Sequence, residues 1–235
     1  MKRVCVLTGA SGALGTAFIK RFSAQYDFVA IHNRHDLAFA TQNQSFIDPL
    51  APSTPLRQNE HPVFAIRSDL ANEEAIHDLC VETLERFHRV DVLINAAVHR
   101  RYCHLLHPTS LSDADLAFRV NALAPLRLAL GFARLFWKDD PSENIQQRRN
   151  IVNVSSTAGV YVYPDAGQTI YGACKAALNH ATYHLASELW DIGIRVNAVA
   201  PNTFPGLVAT ERVLDKIAAL DNSDDTGRLV VIDQG

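Results

Sequence analysis

The sequence predicts an α/β fold in which a doubly wound, seven-stranded parallel sheet carries helices on both faces. Short apolar runs rich in β-branched residues alternate with longer amphipathic stretches, as strands and crossover helices do in such a sheet. A glycine-rich turn, residues 8–15, follows the first apolar run and precedes a helical pattern. The 235 residues are 48% hydrophobic, which suits one domain, residues 1–235, with a complete core.

Each element follows from local periodicity. Seven apolar runs have the length of buried parallel strands, at residues 4–7, 28–31, 63–66, 90–94, 151–154, 196–200 and 229–232. Amphipathic periodicity predicts helices at residues 12–24, between 63 and 90, and at 116–136, 171–190 and 211–220. Residues 36–62 contain several prolines and predict a loop, and the charged residues 138–149 predict an exposed loop.

Composition excludes several classes of protein. The net charge is −3 with no basic stripe, which argues against nucleic-acid or membrane-surface partners. The four scattered cysteines have no metal-like spacing, so we expect reduced thiols and no metal site. The amino terminus lacks a signal-sequence pattern and no run approaches a membrane span, so we expect a cytoplasmic protein.

Three groups of residues together indicate hydride transfer from a nicotinamide. Tyr171 and Lys175 lie one helical turn apart, and an ammonium there would favour the phenolate form of the tyrosine. Ser155 and Ser156 end an apolar run and offer a hydroxyl that could hold a carbonyl oxygen. The glycine-rich turn opens a helix, whose amino terminus can hold a pyrophosphate. A Tyr-x-x-x-Lys pair alone would more simply be an exposed helix pair.

These motifs resemble the short-chain dehydrogenase/reductase family, classical type, over nearly the whole chain. The resemblance implies a Rossmann-like fold and catalytic roles for Asn121, Ser156, Tyr171 and Lys175. It implies that the cofactor-binding residues are Gly9, Ser11, Gly12, Leu14, Gly15, Asn33, Arg34, Asp69, Leu70, Asn95, Ala96, Tyr171, Lys175 and Pro201.

In the family these residues have distinct roles. Ser156 would bind the substrate carbonyl, with Ser155 as the rival serine, and Tyr171 would exchange its proton. Lys175 would bind the nicotinamide ribose and lower the pKa of Tyr171. Pro125 cannot donate to the carbonyl of Asn121, so the helix should bend there and leave that carbonyl available to a water. A packing kink without a chemical role is the alternative.

The choice of nucleotide depends on the end of the second predicted strand. NAD-preferring relatives carry an acid there, whereas this chain has Asn33 followed by Arg34. A guanidinium suits a 2′-phosphate, so we expect NADP(H), with NAD(H) as the alternative if Asp36 turns inward.

Four departures from the family pattern limit the resemblance. Ala13 stands in the glycine turn, Val98 replaces a usual glycine, and Asn202 replaces the glycine after Pro201. The expected substrate lid, about residues 202–226, is short, which predicts an open mouth or a pocket completed by another subunit.

The sequence therefore predicts an NADP(H)-dependent oxidoreductase that interconverts a ketone or related carbonyl and a secondary alcohol; a C=N reductase is a narrower version. One alternative is a catalytically impaired NADP(H)-binding protein with a regulatory or scaffold role, and another is an epimerase or dehydratase. The resemblance implies a homodimer or homotetramer. Positions near the expected mouth suggest five substrate-pocket candidates: Tyr102, His104, Tyr161, Tyr163 and Phe204.

Overall fold

A computed structural model describes residues 2–39, 41–42 and 63–233. Its seven strands form one parallel sheet in the order β3-β2-β1-β4-β5-β6-β7. The strands are β1 Arg3–Thr8, β2 Tyr26–His32, β3 Phe64–Arg67, β4 Val92–Asn95, β5 Asn150–Val154, β6 Arg195–Pro201 and β7 Leu229–Ile232. Each matches a predicted run, and the predicted fold class is confirmed. The predicted loop at residues 36–62 lies largely outside the described residues.

Helices cover both faces of the sheet. They are α1 Ala13–Phe22, α2 Glu73–Phe87, α3 Ala114–Phe118, α4 Ala124–Leu135, α5 Pro141–Gln146, α6 Thr169–Glu188 and α7 Thr210–Asn222. One core cluster joins the sheet to α2, α4 and α6, and a second joins the opposite face to α1 and α7. The alternation of apolar and amphipathic stretches therefore corresponds to a sheet that helices cover on both faces.

The long helix predicted at residues 116–136 is interrupted where the sequence predicts a bend. A π-helical turn, Arg119–Leu123, separates α3 from α4, and the Ala124 N–H donates to the Arg119 carbonyl five residues back. Pro125, in the first turn of α4, has no N–H to complete an ordinary helical bond to Asn121. The predicted interruption of the helix is confirmed, and it takes the form of a π-helical turn.

The expectation of a loop at residues 138–149 is wrong, although most of the segment is exposed as expected. A 3-10 turn, Trp137–Asp139, and α5 occupy the segment, and Asn144 and Arg149 are buried. Asn144 Nδ2 donates to the carbonyls of Trp137 and Ile192 at 2.6 and 2.7 Å, and Arg149 donates to Asn144 Oδ1 at 2.7 Å. Polar residues enter this interior because their hydrogen bonds are satisfied there.

The assignment of residues 202–226 as a short substrate lid stays a prediction, and the segment contains the helix that the sequence predicts at 211–220. Most of it is α7, which buries Val213, Leu214, Ile217 and Leu220 against the sheet and α1. Only residues 202–209 remain between β6 and this core helix.

One helical stretch of the described residues is long and apolar enough to cross a membrane, contrary to the sequence expectation. This is Ala114–Leu135, 22 residues with a mean hydropathy of 1.3, and half of its most apolar window is buried inside the fold. Leu128 and Phe132 belong to the core cluster beneath the sheet. Its apolar composition is that of a core helix.

Candidate active site

The candidate site lies at the carboxyl edge of the sheet, next to the place where the strand order reverses. β1 pairs with both β2 and β4, and the chain leaves these strands in opposite lateral directions. Ligands of open parallel sheets bind in the crevice at this switch point. The glycine-rich turn follows β1, and the remaining candidate groups follow β2, β3, β4, β5 and β6.

Two glycines of the turn stand where no side chain fits. Gly9 has φ +69°, and a Cβ there would lie 2.8 Å from the Ala96 carbonyl oxygen. A Cβ on Gly15 would lie 2.5 Å from the Gly9 carbonyl oxygen. The turn, the end of β4 and the start of α1 consequently form a close backbone cradle.

The amino terminus of α1 is prepared to bind an anion. Gly12 is its N-cap and supplies no side-chain acceptor, and the first turn carries no acidic residue. The first amides of a helix have no partner within it, so they are available to a pyrophosphate. Ser11 and Leu14 flank this position, and the methyl group of Ala13 is exposed and leaves the cradle open. The residues present fit a dinucleotide.

The end of β4 is held by polar side chains. Thr8 Oγ1 accepts hydrogen bonds from the Ala96 and Ala97 amides, both at 3.0 Å. Asn95 Nδ2 donates to Asn153 Oδ1 at 2.8 Å, while its own buried Oδ1 has no partner among the described residues. Val98 is 49% exposed, so its side chain is not packed into the backbone cradle.

The groups expected near the adenosine half of the nucleotide are spread along the same edge. Asn33, Arg34 and Asp36 follow β2 and are exposed, and Arg34 has no hydrogen bond or ion pair to the residues that the structure describes. Asp69 is exposed and accepts a hydrogen bond from the Ala71 amide at 3.1 Å. Leu70 is buried, as is Pro201 at the end of β6.

Ser156, Tyr171 and Lys175 meet at the end of β5. The Ser156 hydroxyl lies near Tyr171 and acts to lower the pKa of Tyr171. Ser156 Oγ also accepts a hydrogen bond from the Ala158 amide at 3.2 Å, so it caps the turn after β5. Ser155 faces inward and donates to the Lys175 carbonyl at 3.3 Å. The geometry therefore favours Ser156 over Ser155 as the partner of Tyr171.

The expected lowering of the Tyr171 pKa is not present in this structure. Burial raises the pKa of Tyr171 above its usual value, and the nearby Ser156 hydroxyl only partly opposes this effect. The Lys175 ammonium donates to the Val154 carbonyl at 2.9 Å and lies 5.9 Å from the centre of the Tyr171 ring. Burial also lowers the pKa of Lys175 to about 8, so Lys175 is mainly charged at pH 7 and loses its proton in the mildly alkaline range.

Asn121 has a structural connection that sequence reasoning missed. It lies in the π-helical turn, and its side chain bonds both backbone groups of His99: Oδ1 accepts from the amide at 2.8 Å and Nδ2 donates to the carbonyl at 2.7 Å. The wider turn therefore anchors the loop after β4. The expected water on the Asn121 carbonyl remains a prediction.

A small cleft opens beside Tyr171 and is lined mainly by the segment between β4 and α3. The residues around it are His99, Arg101, Cys103, Ser110, Asp113, Ala117, Gly167, Ile170 and Tyr171. Asp113 binds His99 Nε2 at 2.7 Å and Arg101 at 3.1 Å, and the His99 contact is the main reason that the Asp113 pKa is lowered. Sequence reasoning missed this group because its members come from no recognisable motif.

The five substrate-pocket candidates have different positions. The ring of Tyr102 packs edge-on against that of Tyr171, with 5.5 Å between ring centres. His104 and Tyr161 are exposed, and Tyr163 is half-buried. Phe204 packs against the core cluster that contains α1 and α7. Tyr102 is thus the candidate with a direct contact to Tyr171.

Known proteins with similar sequences and structures are oxidoreductases. The chain is 30% identical over 203 residues to 2-(R)-hydroxypropyl-CoM dehydrogenase of Xanthobacter autotrophicus, covering 86% of this chain and 74% of that protein. It is 29% identical over 209 residues to a 3-oxoacyl-(acyl-carrier-protein) reductase of Synechocystis, covering 89% and 75%.

A solved 4-hydroxyisoleucine dehydrogenase, complexed with NADH and succinate, superposes with a TM-score of 0.76 at 26% identity, covering 99% of this chain and 98% of that one. The sequence model of the short chain dehydrogenase family matches residues 3–217. The chain belongs to the short-chain dehydrogenase/reductase family and has the alcohol- or carbonyl-directed oxidoreductase architecture of that family.

Proposed function

We propose that the protein is an NADP(H)-dependent oxidoreductase that interconverts a ketone and a secondary alcohol, with Tyr171 as the general acid and base. The observation that carries this proposal is that Ser156, Tyr171 and Lys175 come together at the end of β5, beside the open cleft. The glycine cradle lies on the same edge of the sheet, and the family membership supports the reaction class.

The residues divide the work between them. When bound, the nicotinamide supplies or accepts the hydride. Ser156 donates a hydrogen bond to the carbonyl oxygen and orients it, and Tyr171 gives that oxygen its proton in the direction of reduction. In this proposal Lys175 binds the nicotinamide ribose, and Asn121 keeps the loop after β4 in position.

The raised pKa of Tyr171 favours the acid role. A phenol with a pKa above 10 is fully protonated near neutral pH and ready to donate. In the direction of oxidation the same group must first lose its proton. We therefore expect the oxidation rate to climb with pH through the alkaline range while the reduction rate stays level near neutrality, as initial rates in both directions would show.

The test of the catalytic assignment is Tyr171→Phe, which removes the proton donor and keeps the ring. We expect turnover to fall by about a thousandfold or more with NADPH binding retained. Tyr183→Phe is the matched control, because Tyr183 lies on the same helix and is exposed. Undiminished turnover in Tyr171→Phe would contradict the assignment. NADPH-dependent binding of a partner protein without any Tyr171-dependent turnover would favour the regulatory or scaffold alternative.

The preference for NADP(H) rests on Arg34, an exposed guanidinium after β2 with Asn33 beside it. Titration of the wild type and Arg34→Ala with NADPH and NADH, followed by nicotinamide fluorescence, tests it. We expect Arg34→Ala to weaken NADPH binding about tenfold or more and to leave NADH binding unchanged. Tighter NADH binding by the wild type would point to NAD(H), the cofactor form held by the solved 4-hydroxyisoleucine dehydrogenase.

The proposal extends to assembly and location. Exposed apolar side chains on α3 and the π-helical turn, among them Phe118 and Leu123, support a homodimer or homotetramer. We place the protein in the cytoplasm, acting on a small carbonyl or alcohol rather than on nucleic acid or membrane. Sedimentation that shows a monomer would overturn the proposed assembly.

A further inference from the structure

Two histidines face each other on the outer surface of α6. His180 and His184 lie one helical turn apart, and both are exposed. Their Nε2 atoms are 3.1 Å apart, whereas the centres of the two rings are 4.8 Å apart. The Nε2 edges of both rings are therefore turned toward a common point at the protein surface.

The distance between these nitrogens matches that between two ligands of one metal ion. Zinc lies about 2.0–2.1 Å from an imidazole nitrogen that binds it. Two nitrogens at that distance from an ion, and 3.1 Å from each other, subtend an angle of about 95–100° at the ion. This angle lies between the octahedral and the tetrahedral values. The rings are thus already arranged to hold an ion, with little movement of either side chain.

The same contact is a hydrogen bond when one ring carries its proton on Nε2. A neutral imidazole can carry that proton on either ring nitrogen. When the donating ring carries it on Nδ1 instead, both Nε2 atoms present a lone pair to the same point. A cation can then replace the shared proton without a change in the fold of α6.

The surface of α6 around the pair leaves room for an ion and its water. Ala176 and Ala177, one turn before His180, are small and exposed. Among the residues that the structure describes, no third histidine, cysteine or carboxylate forms a metal-binding group with the pair. An ion held by the two histidines would therefore keep its other coordination positions for water.

We propose that His180 and His184 form a two-histidine site for a divalent transition-metal ion of the class of zinc and nickel. Imidazole nitrogen is a ligand that suits these ions, and two histidines four residues apart on a helix can bind one ion together. The pair does not belong to the lining of the cleft at Tyr171, so the inference is independent of the proposed oxidoreductase function. The expectation of no metal site came from cysteine spacing, which does not bear on a pair of histidines.

The experiment titrates the full chain with metal, without an affinity tag and after dialysis against a chelator. Zinc and nickel chlorides are the probes, and magnesium chloride is the control for a cation that prefers oxygen ligands. Calorimetry at about pH 7.5, where an imidazole is mainly neutral, gives the affinity and the number of ions bound. Thermal unfolding with and without each metal gives a second measurement.

The variants are His180→Gln and His184→Gln, each of which removes one ligand from an exposed position of α6. His77→Gln is the matched control, because His77 is an exposed histidine on α2 and has no histidine one turn away. Circular dichroism of each variant checks that its helices are retained.

We expect the wild type to bind one zinc ion per chain, nickel at least as tightly, and magnesium not at all. Each α6 substitution should weaken zinc binding about tenfold or more, since even the outer partners of metal ligands contribute that much. Zinc should raise the midpoint of thermal unfolding in the wild type and in His77→Gln, because an ion that binds the folded state stabilises it.

Three results would overturn the inference. The first is a wild-type chain that binds no zinc at a concentration of about 1 mM. The second is a zinc affinity that is unchanged in both His180→Gln and His184→Gln. The third is one ion per two chains, because a second copy would then fill the coordination positions that are assigned here to water.

Discussion

At the scale of single residues, Lys175 shows the cost of placing a charge in the interior. Its side chain is 2% exposed, and desolvation lowers its pKa from 10.5 to about 8. Its contact is the Val154 carbonyl, which accepts a hydrogen bond without neutralising the charge. A buried ammonium without a carboxylate is destabilising, and its retention indicates a use other than stability.

We predict that Lys175→Met stabilises the protein at pH 7 and abolishes turnover. The free energy of unfolding should rise by about 1–3 kcal/mol, because the folded state no longer holds a desolvated charge. The gain should be full below pH 8 and shrink as pH rises toward 10.5, because the wild-type lysine then loses its proton in the folded state first.

Urea denaturation of both proteins from pH 6 to pH 10 measures this difference. Lys20→Met is the control, since Lys20 is exposed on α1 and its replacement should change stability little. A Lys175→Met protein that is less stable than wild type at pH 7 would show that the hydrogen bond to Val154 outweighs the desolvation cost.

The sequence predicted residue identities in the site better than their interactions. Ser156, Tyr171 and Lys175 could be named because a helix places positions four apart on one face and because Ser156 ends a strand. The raised pKa of Tyr171 could not be predicted, because burial depends on the loop that brings Tyr102 over it. His99, Arg101 and Asp113 follow no periodicity, so only the folded chain shows their arrangement.

At the scale of elements, the start of α1 depends on how closely the helix approaches the turn before it. A Cβ on Gly15 would meet the Gly9 carbonyl oxygen at 2.5 Å and the Ala10 Cα at 2.6 Å, both backbone atoms that cannot rotate away. A Cβ on Gly12 would meet the Gly9 carbonyl oxygen at 3.2 Å. A Cβ atom therefore has less room at Gly15 than at Gly12.

We predict that Gly15→Ala lowers the free energy of unfolding by about 1–3 kcal/mol and weakens dinucleotide binding, since α1 must move away from the cradle. Gly12→Ala is the comparison and should cost less stability, because a shift of a few tenths of an ångström relieves its contact. Thermal unfolding and nicotinamide fluorescence measure the two effects. Equal stability losses in both variants would contradict the difference in space.

The sequence predicts element boundaries well where all residues of an element are buried, and poorly where buried and exposed residues alternate. The strands are buried on both faces, so a continuous apolar run is enough to identify each of them. The segment 138–149 looked like a loop because its charged residues suggested solvent, yet Arg149 is buried against Asp91 and the Phe136 ring. For α7, amphipathic periodicity predicts a helix. It does not predict that the apolar side of this helix packs against the sheet and α1.

At the scale of the whole molecule, Asp221 joins four elements at the amino edge of the sheet. On α7, it accepts hydrogen bonds from Arg3 of β1 at 2.6 and 2.7 Å, and from Tyr26 of β2 and Asn150 of β5, both at 2.5 Å. The carboxylate is buried, and its proximity contributes to raising the pKa of Tyr26 well above the usual value, after the larger effect of burial. This connection fixes α7 to the sheet.

We predict that Asp221→Asn destabilises the whole domain by about 3–5 kcal/mol, because it leaves the Arg3 charge without its partner in a largely buried network. Asp215→Asn, on the same helix, should change stability by less than about 1 kcal/mol, since its ion pair with Arg21 is exposed. Urea denaturation gives both values. A mild effect of Asp221→Asn would show that α7 is only loosely attached.

The short connection at residues 202–209 is a place where added sequence could change the substrate range of the protein. Val208 is buried and its amide bonds the Thr203 carbonyl, whereas Gly206 and Leu207 are exposed. Extra sequence inserted between Gly206 and Leu207 would project over the reacting edge without disturbing the Asp221 network at the opposite edge. A library of such insertions could therefore be screened for activity on new substrates, while the distant Asp221 network continues to stabilise the domain.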